Sequence, residues 1–255
     1  MRFACLGSGS EGNGLVVEAG TTRLLIDCGF GVRDAVARLG RIGVAPESVT
    51  AIIVTHEHTD HIGGVAAFAM RYGTPVWLTF GTLATVAERF ADLPQVRGFD
   101  AYDVFAIDAV EVRPFPVPHD AREPVQFVCS DGEWRLGVLT DLGASTAHVE
   151  ASLSGCHALV LECNHDPDML ANGDYPYSLK LRIAGKFGHL DNEAAAALLA
   201  KLDNSKLRHL FAAHLSQHNN RPELARAALA QAVNCAPDWV GIADQHTGFA
   251  WREFV

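Results

Sequence analysis

The sequence predicts an α/β protein of two packed β-sheets covered by helices on the outside. Short β-branched runs alternate with helix-like segments along the chain, the pattern of strands and helices layered on one another. Two of the runs, "TRLLIDCG" and "VTAIIVTH", are near-continuously apolar, as strands buried on both faces are. Strand-rich halves, each punctuated by helices, follow one another with no low-complexity run or Ser/Gly linker between them. We therefore expect one domain over 1–255, with two half-domains of like topology plausible within it.

Taken in order, "RFACL", "GLVVEAG", "TRLLIDCG" and "VTAIIVTH" read as strands. "VAAFAMRYG" reads as a helix, "PVWLT" as a strand and "GTLATVAERFADL" as a helix. A β-rich stretch follows in "DVFAI", "VEVRPFPV" and "VQFVCSDGEWRLGVLTDLG", where "SDGE" carries the Asp-Gly signal of a tight hairpin. "TAHVEASLSG" is helical and "CHALVLECN" a buried strand. "NEAAAALLAKL" is a helix entered through Asp191 or Asn192 as N-cap. "LRHLFAAHL" is a strand, and "RPELARAALAQAVN" a helix with Pro222 near its start. "WVGIADQHTGFAWREF" supplies a closing pair of strands.

Composition narrows the function classes. The start has no continuous apolar h-region, and no segment approaches the ~20 apolar residues of a membrane span, so a cytoplasmic protein is expected. None of the six cysteines forms a C-x-x-C pair. That speaks against a zinc ribbon or a thioredoxin-type motif and for buried free thiols. A net charge of −10 argues against broad non-specific binding of nucleic acid. Two qualifications matter: a bound metal pair would add about four positive charges, and "SLKLRIAGKFGH" concentrates Lys180, Arg182 and Lys186. That segment reads equally as a local substrate contact or as a solvated helix face.

Chemistry concentrates where apolar runs stop. "VTHEHTDHIGG" places His56, His58, Asp60 and His61 within six positions just beyond a buried strand. Three His and one Asp would be costly to desolvate unpaired, and the Gly63-Gly64 exit with apolar flanks does not suit a fully exposed turn. Other strands end at His119, Asp141 and His214, and rigid scaffolds place function at strand termini. All seven are nitrogen or hard oxygen donors, a mix that suits Zn²⁺, Mn²⁺ or Fe. Seven exceeds one tetrahedral site. Two ions ~3.5–4 Å apart would use them all, providing a low-pKa water as nucleophile and a clamp on attacking and leaving oxygens. That points to hydrolysis, and particularly to phosphodiester hydrolysis.

With H-x-H-x-D-H after an apolar strand, "LLIDCG" upstream and the later His, Asp and His, the chain resembles the metallo-β-lactamase superfamily over essentially its whole length. The resemblance implies a four-layered αβ/βα sandwich of two mixed sheets flanked by helices, with the site at one rim. It implies that His56, His58 and His119 hold one metal and Asp60, His61 and His214 the other. Asp141 would bridge them, and Asp27 would support the site structurally. It also sets Asp60 beside the nucleophilic water, which it would orient or deprotonate. "GSGSEGN", "PFPVPHDA", "TDLG", "LECNHD", "YPYSLKLRI", "GHLDNEAA" and "HLSQHNNRPELA" together are similar to the YycJ/WalJ group. That likeness implies a DNA exonuclease of 5′-to-3′ type acting on duplex ends. His218 and Cys163 depart from the group, which usually has Glu and Ala there.

In phosphodiesterase branches of the superfamily a segment like "GHLDN" supplies a non-ligand His that protonates the leaving oxygen. His189 matches it, and an imidazole suits that role near neutral pH; the bland alternative is a hydrogen-bonded loop His. Further candidates for substrate contact are His165 at a strand end with Glu162 and Asn164, Lys186, His218, and Ser8, Ser10 and Asn13 in a Gly-rich turn. Orienting a ligand is an equal reading for "LECNHD". Two rivals remain: a small-molecule or cyclic-nucleotide phosphodiesterase, and a non-catalytic metal-bound interaction protein. The latter would use "WREFV" and "RPELARAALAQAV" for contact, a homodimer included.

Overall fold

The first apolar runs form an antiparallel meander: β1 (Arg2–Gly7), β2 (Gly14–Ala19) and β3 (Thr22–Ile26) pair in sequence. The computed structural model describes residues 1–254. Helix α1 (Val32–Arg41) leads to β4 (Ala51–Ile53). From there α2 (Thr59–Ile62) and α3 (Val65–Tyr72) lead to β5 (Val76–Thr79), and α4 (Phe80–Phe90) to β6 (Val96–Phe99). These helical connections allow β3 to β6 to pair in parallel.

The second half repeats the plan. β7 (Phe105–Ile107), β8 (Val110–Pro116), β9 (Val125–Ser130) and β10 (Arg135–Leu139) are antiparallel neighbours. The "SDGE" hairpin joins the last two, with Gly132 at φ +95°, a conformation open to glycine. Helix α5 (Ala147–Leu153) leads to β11 (Ala158–Glu162). Helices α6 (Pro167–Asn172), α7 (Tyr177–Ile183) and α8 (Asn192–Lys201) precede β12 (His209–Ala213). Helix α9 (Pro222–Ala232) precedes β13 (Gly241–Ile242), and β14 (Phe249–Glu253) closes the described chain. β10 to β13 are parallel.

The strand orders are β14-β1-β2-β3-β4-β5-β6 and β13-β12-β11-β10-β9-β8-β7. Each sheet thus runs through three antiparallel pairings and then three parallel ones, so the halves share one topology. The closing pair of strands does not pair with itself: β13 joins β12, whereas β14 crosses to β1 in the other sheet. Phe3, Ile53, Phe127, Val160 and Phe211 pack between the sheets. Helices α1, α3 and α4 cover one outer face through Leu39, Phe68 and Val86. Helices α5, α8 and α9 cover the other through Val149, Leu198 and Leu229. Four layers result.

Helix α1 carries Val32, Ala35, Val36 and Leu39 at helical spacing, a signal that the sequence reading passed over, and buries Ala35 and Leu39 without a side-chain N-cap. The edge strand β6 buries only Phe99 and owes its form to pairing with β5. At α8 the N-cap resolves to Asp191, which accepts from Ala194 N at 2.7 Å. Among the described residues no helix is long and apolar enough to cross a membrane.

Glu18 joins the first three strands through Arg2 Nε at 2.6 Å and Arg23 Nε at 2.5 Å. Burial alone would raise its carboxyl, but the two guanidiniums hold it below the usual carboxylate range. The stability it contributes is therefore present above the ordinary carboxylate pKa and is lost as pH falls through the lowered folded value. Glu18→Gln is expected to cost about 1–2 kcal/mol at neutral pH and to flatten the acid limb of Tm against pH. An unchanged acid limb would contradict this.

Candidate metal centre

The end of β3 builds the support for the motif. Asp27 sits at φ +58°, a left-handed conformation that Asp tolerates better than most residues. Its carboxylate accepts from Thr55 N and Thr55 Oγ1, each at 2.8 Å, and from His61 Nδ1–H at 2.8 Å. The loop after Asp27 lies directly against α2. Cys28 N donates to His61 O at 2.8 Å, and a Cβ on Gly29 would stand 1.8 Å from Asp60 O. Gly29 thereby fixes where Asp60 and His61 sit. Asp27→Asn is expected to weaken metal binding by about 10–100-fold, as loss of a partner that orients a ligand does. Isothermal titration of the metal-free variant would check this, and unaltered affinity would refute it.

The remaining donors arrive from the other sheet. His119 follows β8, Asp141 follows β10 and His214, at φ +53°, follows β12. All three are buried, as are His56 and His61. Hydrogen bonds assign the ring tautomers. His119 Nδ1–H donates to Gly188 O at 3.0 Å, and with His61 committed to Asp27 this turns both Nε2 atoms to the centre. His58 is reversed: its Nε2–H donates to Asp120 O at 3.2 Å, and its Nδ1 lies 3.2 Å from His119 Nε2. Donor atoms converge within 4.8 Å in the sets His56/His58/His119, Asp60/His61/His214 and His56/His61/Asp141. Asp141 lies between them, with Oδ2 3.0 Å from His61 Nε2, and Oδ1 3.8 Å from His119 Nε2 and 3.7 Å from His214 Nε2.

Two atoms show that this arrangement suits a cation. His56 Nε2 and Asp141 Oδ2 are buried without a hydrogen-bond partner, a condition that costs ~1–3 kcal/mol per group and calls for explanation. The electrostatics agree. Burial opposes charge on His61 and His214, yet Asp141 and neighbouring carboxylates hold His61 well above its ordinary value and His214 at about 10. Despite burial, His61 and His214 hold Asp60 and Asp141 well below theirs. Burial and His61 push His56 down. Without a metal, protons gather where divalent cations would sit, and binding the metal must release them.

His189 stands beside this set and, with Glu162, forms a further group of donor atoms with Asp141 and His214. Burial lowers its affinity for a proton, but Glu162 and Asp141 raise it above the ordinary value. Its Nδ1 donates to Glu162 Oε1 at 2.7 Å, so that nitrogen is already committed. Glu162 is fully buried and also accepts from Leu142 N at 2.8 Å and Leu190 N at 3.2 Å. His189, Asp60, His58, Asp141 and His214 line a cavity of about 520 Å³.

The other sequence candidates are dispersed. Asn13 and Ser8 are buried against the donors and do not line the cavity: Asn13 Nδ2 is 3.0 Å from His61 Nε2, and Ser8 Oγ accepts from His214 N at 3.0 Å. Ser10 and Asn164 do line the cavity, and Asn164 Nδ2 donates to His214 O at 3.0 Å. His165 is buried and borders a different cavity. Lys186 is exposed beyond α7. His218 is exposed, its ring 5.8 Å from that of Tyr175. Cys163 is fully buried, and burial pushes its thiol up. Of the basic segment singled out in the sequence, Arg182 reaches the cavity wall, and sequence reasoning missed its partner there, Asp120, joined by Arg182 Nε to Asp120 Oδ2 at 2.6 Å. The position of Asp120 directly after His119 was the available signal.

A strand-end set of this order, on this fold, defines a class, and the chain belongs to the metallo-β-lactamase superfamily. The family described as "Beta-lactamase superfamily domain" matches residues 22–214, a span that runs from just before Asp27 to His214. The chain is 35% identical to "Exodeoxyribonuclease YycJ" of Bacillus anthracis, over 91% of this chain and 89% of that protein. It is 29% identical to "Exodeoxyribonuclease WalJ" of Streptococcus pneumoniae serotype 2 (strain D39), over 94% of this chain and 91% of that protein. Among solved structures, the metallo-beta-lactamase fold protein YhfI from Bacillus subtilis superposes with a TM-score of 0.77 at 16% identity, over 99% of this chain and 98% of that one. The fold is shared with YhfI, and the sequence likeness is to the YycJ/WalJ-like group.

Proposed function

We propose that this protein is a metal-dependent phosphodiesterase acting on nucleic acid as a DNA exonuclease, degrading from the 5′ end. The observation that carries it is the likeness to two named exodeoxyribonucleases over nine tenths of the chain, joined to a full donor set around buried, unpartnered His56 Nε2 and Asp141 Oδ2. His56, His58 and His119 would hold one divalent ion and Asp60, His61 and His214 a second, with Asp141 between them. The nitrogen and carboxylate donors suit Zn or Mn, and Fe also fits. Bound there, such ions supply a water of lowered pKa as nucleophile and neutralise charge on the phosphoryl oxygens.

The side chains supply the rest. Asp60 Oδ2, 3.4 Å from both His61 Nε2 and His214 Nε2, is the base that orients the attacking water. Glu162 fixes the ring of His189 through Nδ1, so that the opposite nitrogen carries the proton to the leaving oxygen. Arg182, steered by Asp120, offers its remaining N–H groups to backbone phosphate at the cavity mouth. Residues of both sheets supply this one site, which supports reading 1–255 as a single catalytic domain. All six cysteines are free, in keeping with a cytoplasmic setting.

The test is cleavage of end-labelled single- and double-stranded DNA and RNA by protein of measured metal content. Stepwise shortening of DNA from the 5′ end, falling steeply with salt, is the expected result. Turnover confined to small diesters or to RNA would overturn the proposal.

A further inference from the structure

Helix α7 divides two cavities. Leu179, Arg182 and Ile183 face the metal cavity, whereas Tyr177, Lys180, Leu181 and Ala184 face a second one of about 520 Å³. Both sets follow the three- and four-residue spacing of opposite helix faces. Tyr175 borders both cavities, so the second adjoins the site where the scissile phosphate would lie. The buried His165 and Leu170 line its inner end. Its size is that of a small-ligand site (~300–1,000 Å³).

This wall is unusual for a folded protein. Helix α7 buries none of its residues. Tyr177 is 75% exposed and Leu181 57% on the wall of the second cavity, apolar surface of the kind that marks an interaction site. Lys180 shares that wall and Arg182 lines the cavity on the other side of the helix, in a chain of net charge −10. Aromatic rings interleaved with cations suit one class of ligand, a nucleic-acid strand whose bases stack while its phosphates meet the cations.

We infer that the cavity beyond α7 is a nucleobase subsite, in which Tyr175 and Tyr177 stack on a base next to the scissile phosphate. The subsite rests on the nucleic-acid reading above. Lys180 and Arg182, on opposite faces of the same helix, flank the strand as it passes from one cavity to the other. His165, with Nδ1 3.3 Å from Asn164 Oδ1, offers a polar group at the inner end.

The experiment uses the metal-loaded enzyme and a set of duplex DNAs, each carrying one abasic residue, at the 5′-terminal position or at one of the first three positions beyond the first scissile bond. At one position, loss of the base is expected to raise KM for the wild type about tenfold, the scale of one stacked base. Tyr177→Ala, an exposed change that leaves the core untouched, should raise KM similarly on intact DNA yet be indifferent to base removal there. A 2-aminopurine at that position should be quenched on binding to the wild type and not to the variant. A KM insensitive to base removal at every position would overturn the subsite, as would a Tyr177→Ala effect equal on intact and abasic DNA. A change in the solution mass of Tyr177→Ala would also overturn it, assigning the patch to a second copy of the chain. DNA hydrolysis without base dependence defeats the subsite alone, whereas no DNA hydrolysis defeats it together with the nuclease reading.

Discussion

Replacing His189 by alanine is expected to leave metal content unchanged while cutting turnover on DNA by about 10²–10⁴-fold, the range for loss of a general acid or base. Metal content should hold because, although His189 forms a donor group with Asp141, Glu162 and His214, its Nδ1 is already bonded to Glu162, and the sets His56/His58/His119, Asp60/His61/His214 and His56/His61/Asp141 do not include it. The loss should fall on kcat rather than KM, since the ring acts on the departing oxygen. Glu162→Gln tests the same pair from behind. Glu162 acts through His189 rather than on substrate, so Glu162→Gln should lower kcat, and adding it to His189→Ala should cost little more. Non-additivity of that kind marks residues that work as a unit. Turnover unchanged in His189→Ala, or metal lost from it, would remove His189 from the role of acid.

The cluster of candidate metal donors was legible in the sequence for a physical reason. Four of them lie within one hexapeptide, and the others end apolar strands, so each carries a local mark at a place where side chains are held rigidly. The fold was legible for the same reason, because strands such as "AIIV" and "ALVLE" are apolar enough to announce burial on both faces. What escaped reading depends on distant contacts. Strand β6 buries one side chain and is set by the strand it pairs with; helix α1 is the exception, since Val32, Ala35, Val36 and Leu39 stood at helical spacing and were passed over. Ser8 and Asn13 suggested phosphate contact from their Gly-rich turn. They are buried against the donors outside the cavity, because Asn13 N reaches Asp60 O at 2.7 Å across 47 positions of chain. Asp120 and Arg182 meet only once β8 and α7 are placed side by side, and no local pattern encodes that pairing.

Asp141→Ala is expected to abolish turnover and to reduce bound metal below the wild-type stoichiometry, because under the proposed assignment Asp141 would be the carboxylate between the two donor sets. Its oxygens lie 3.0–3.8 Å from the Nε2 atoms of His61, His119 and His214. Removing it leaves imidazoles facing one another with no anion between them. In the metal-free protein the loss of a buried partner for a charged group would cost roughly 3–5 kcal/mol, but a histidine so exposed to repulsion sheds its proton instead. The Tm of the metal-free variant should therefore fall by less than that figure predicts. Metal binding has no such escape, since a neutral imidazole cluster supplies fewer anionic oxygens to divalent cations. The stabilisation that saturating metal gives the wild type, about 4 kcal/mol at a thousandfold excess over Kd, should largely vanish in the variant. Metal analysis, calorimetry with and without added metal, and turnover on DNA together read this out. A variant that retains the wild-type metal stoichiometry and its metal-dependent rise in Tm would show that Asp141 does not join the two halves of the centre.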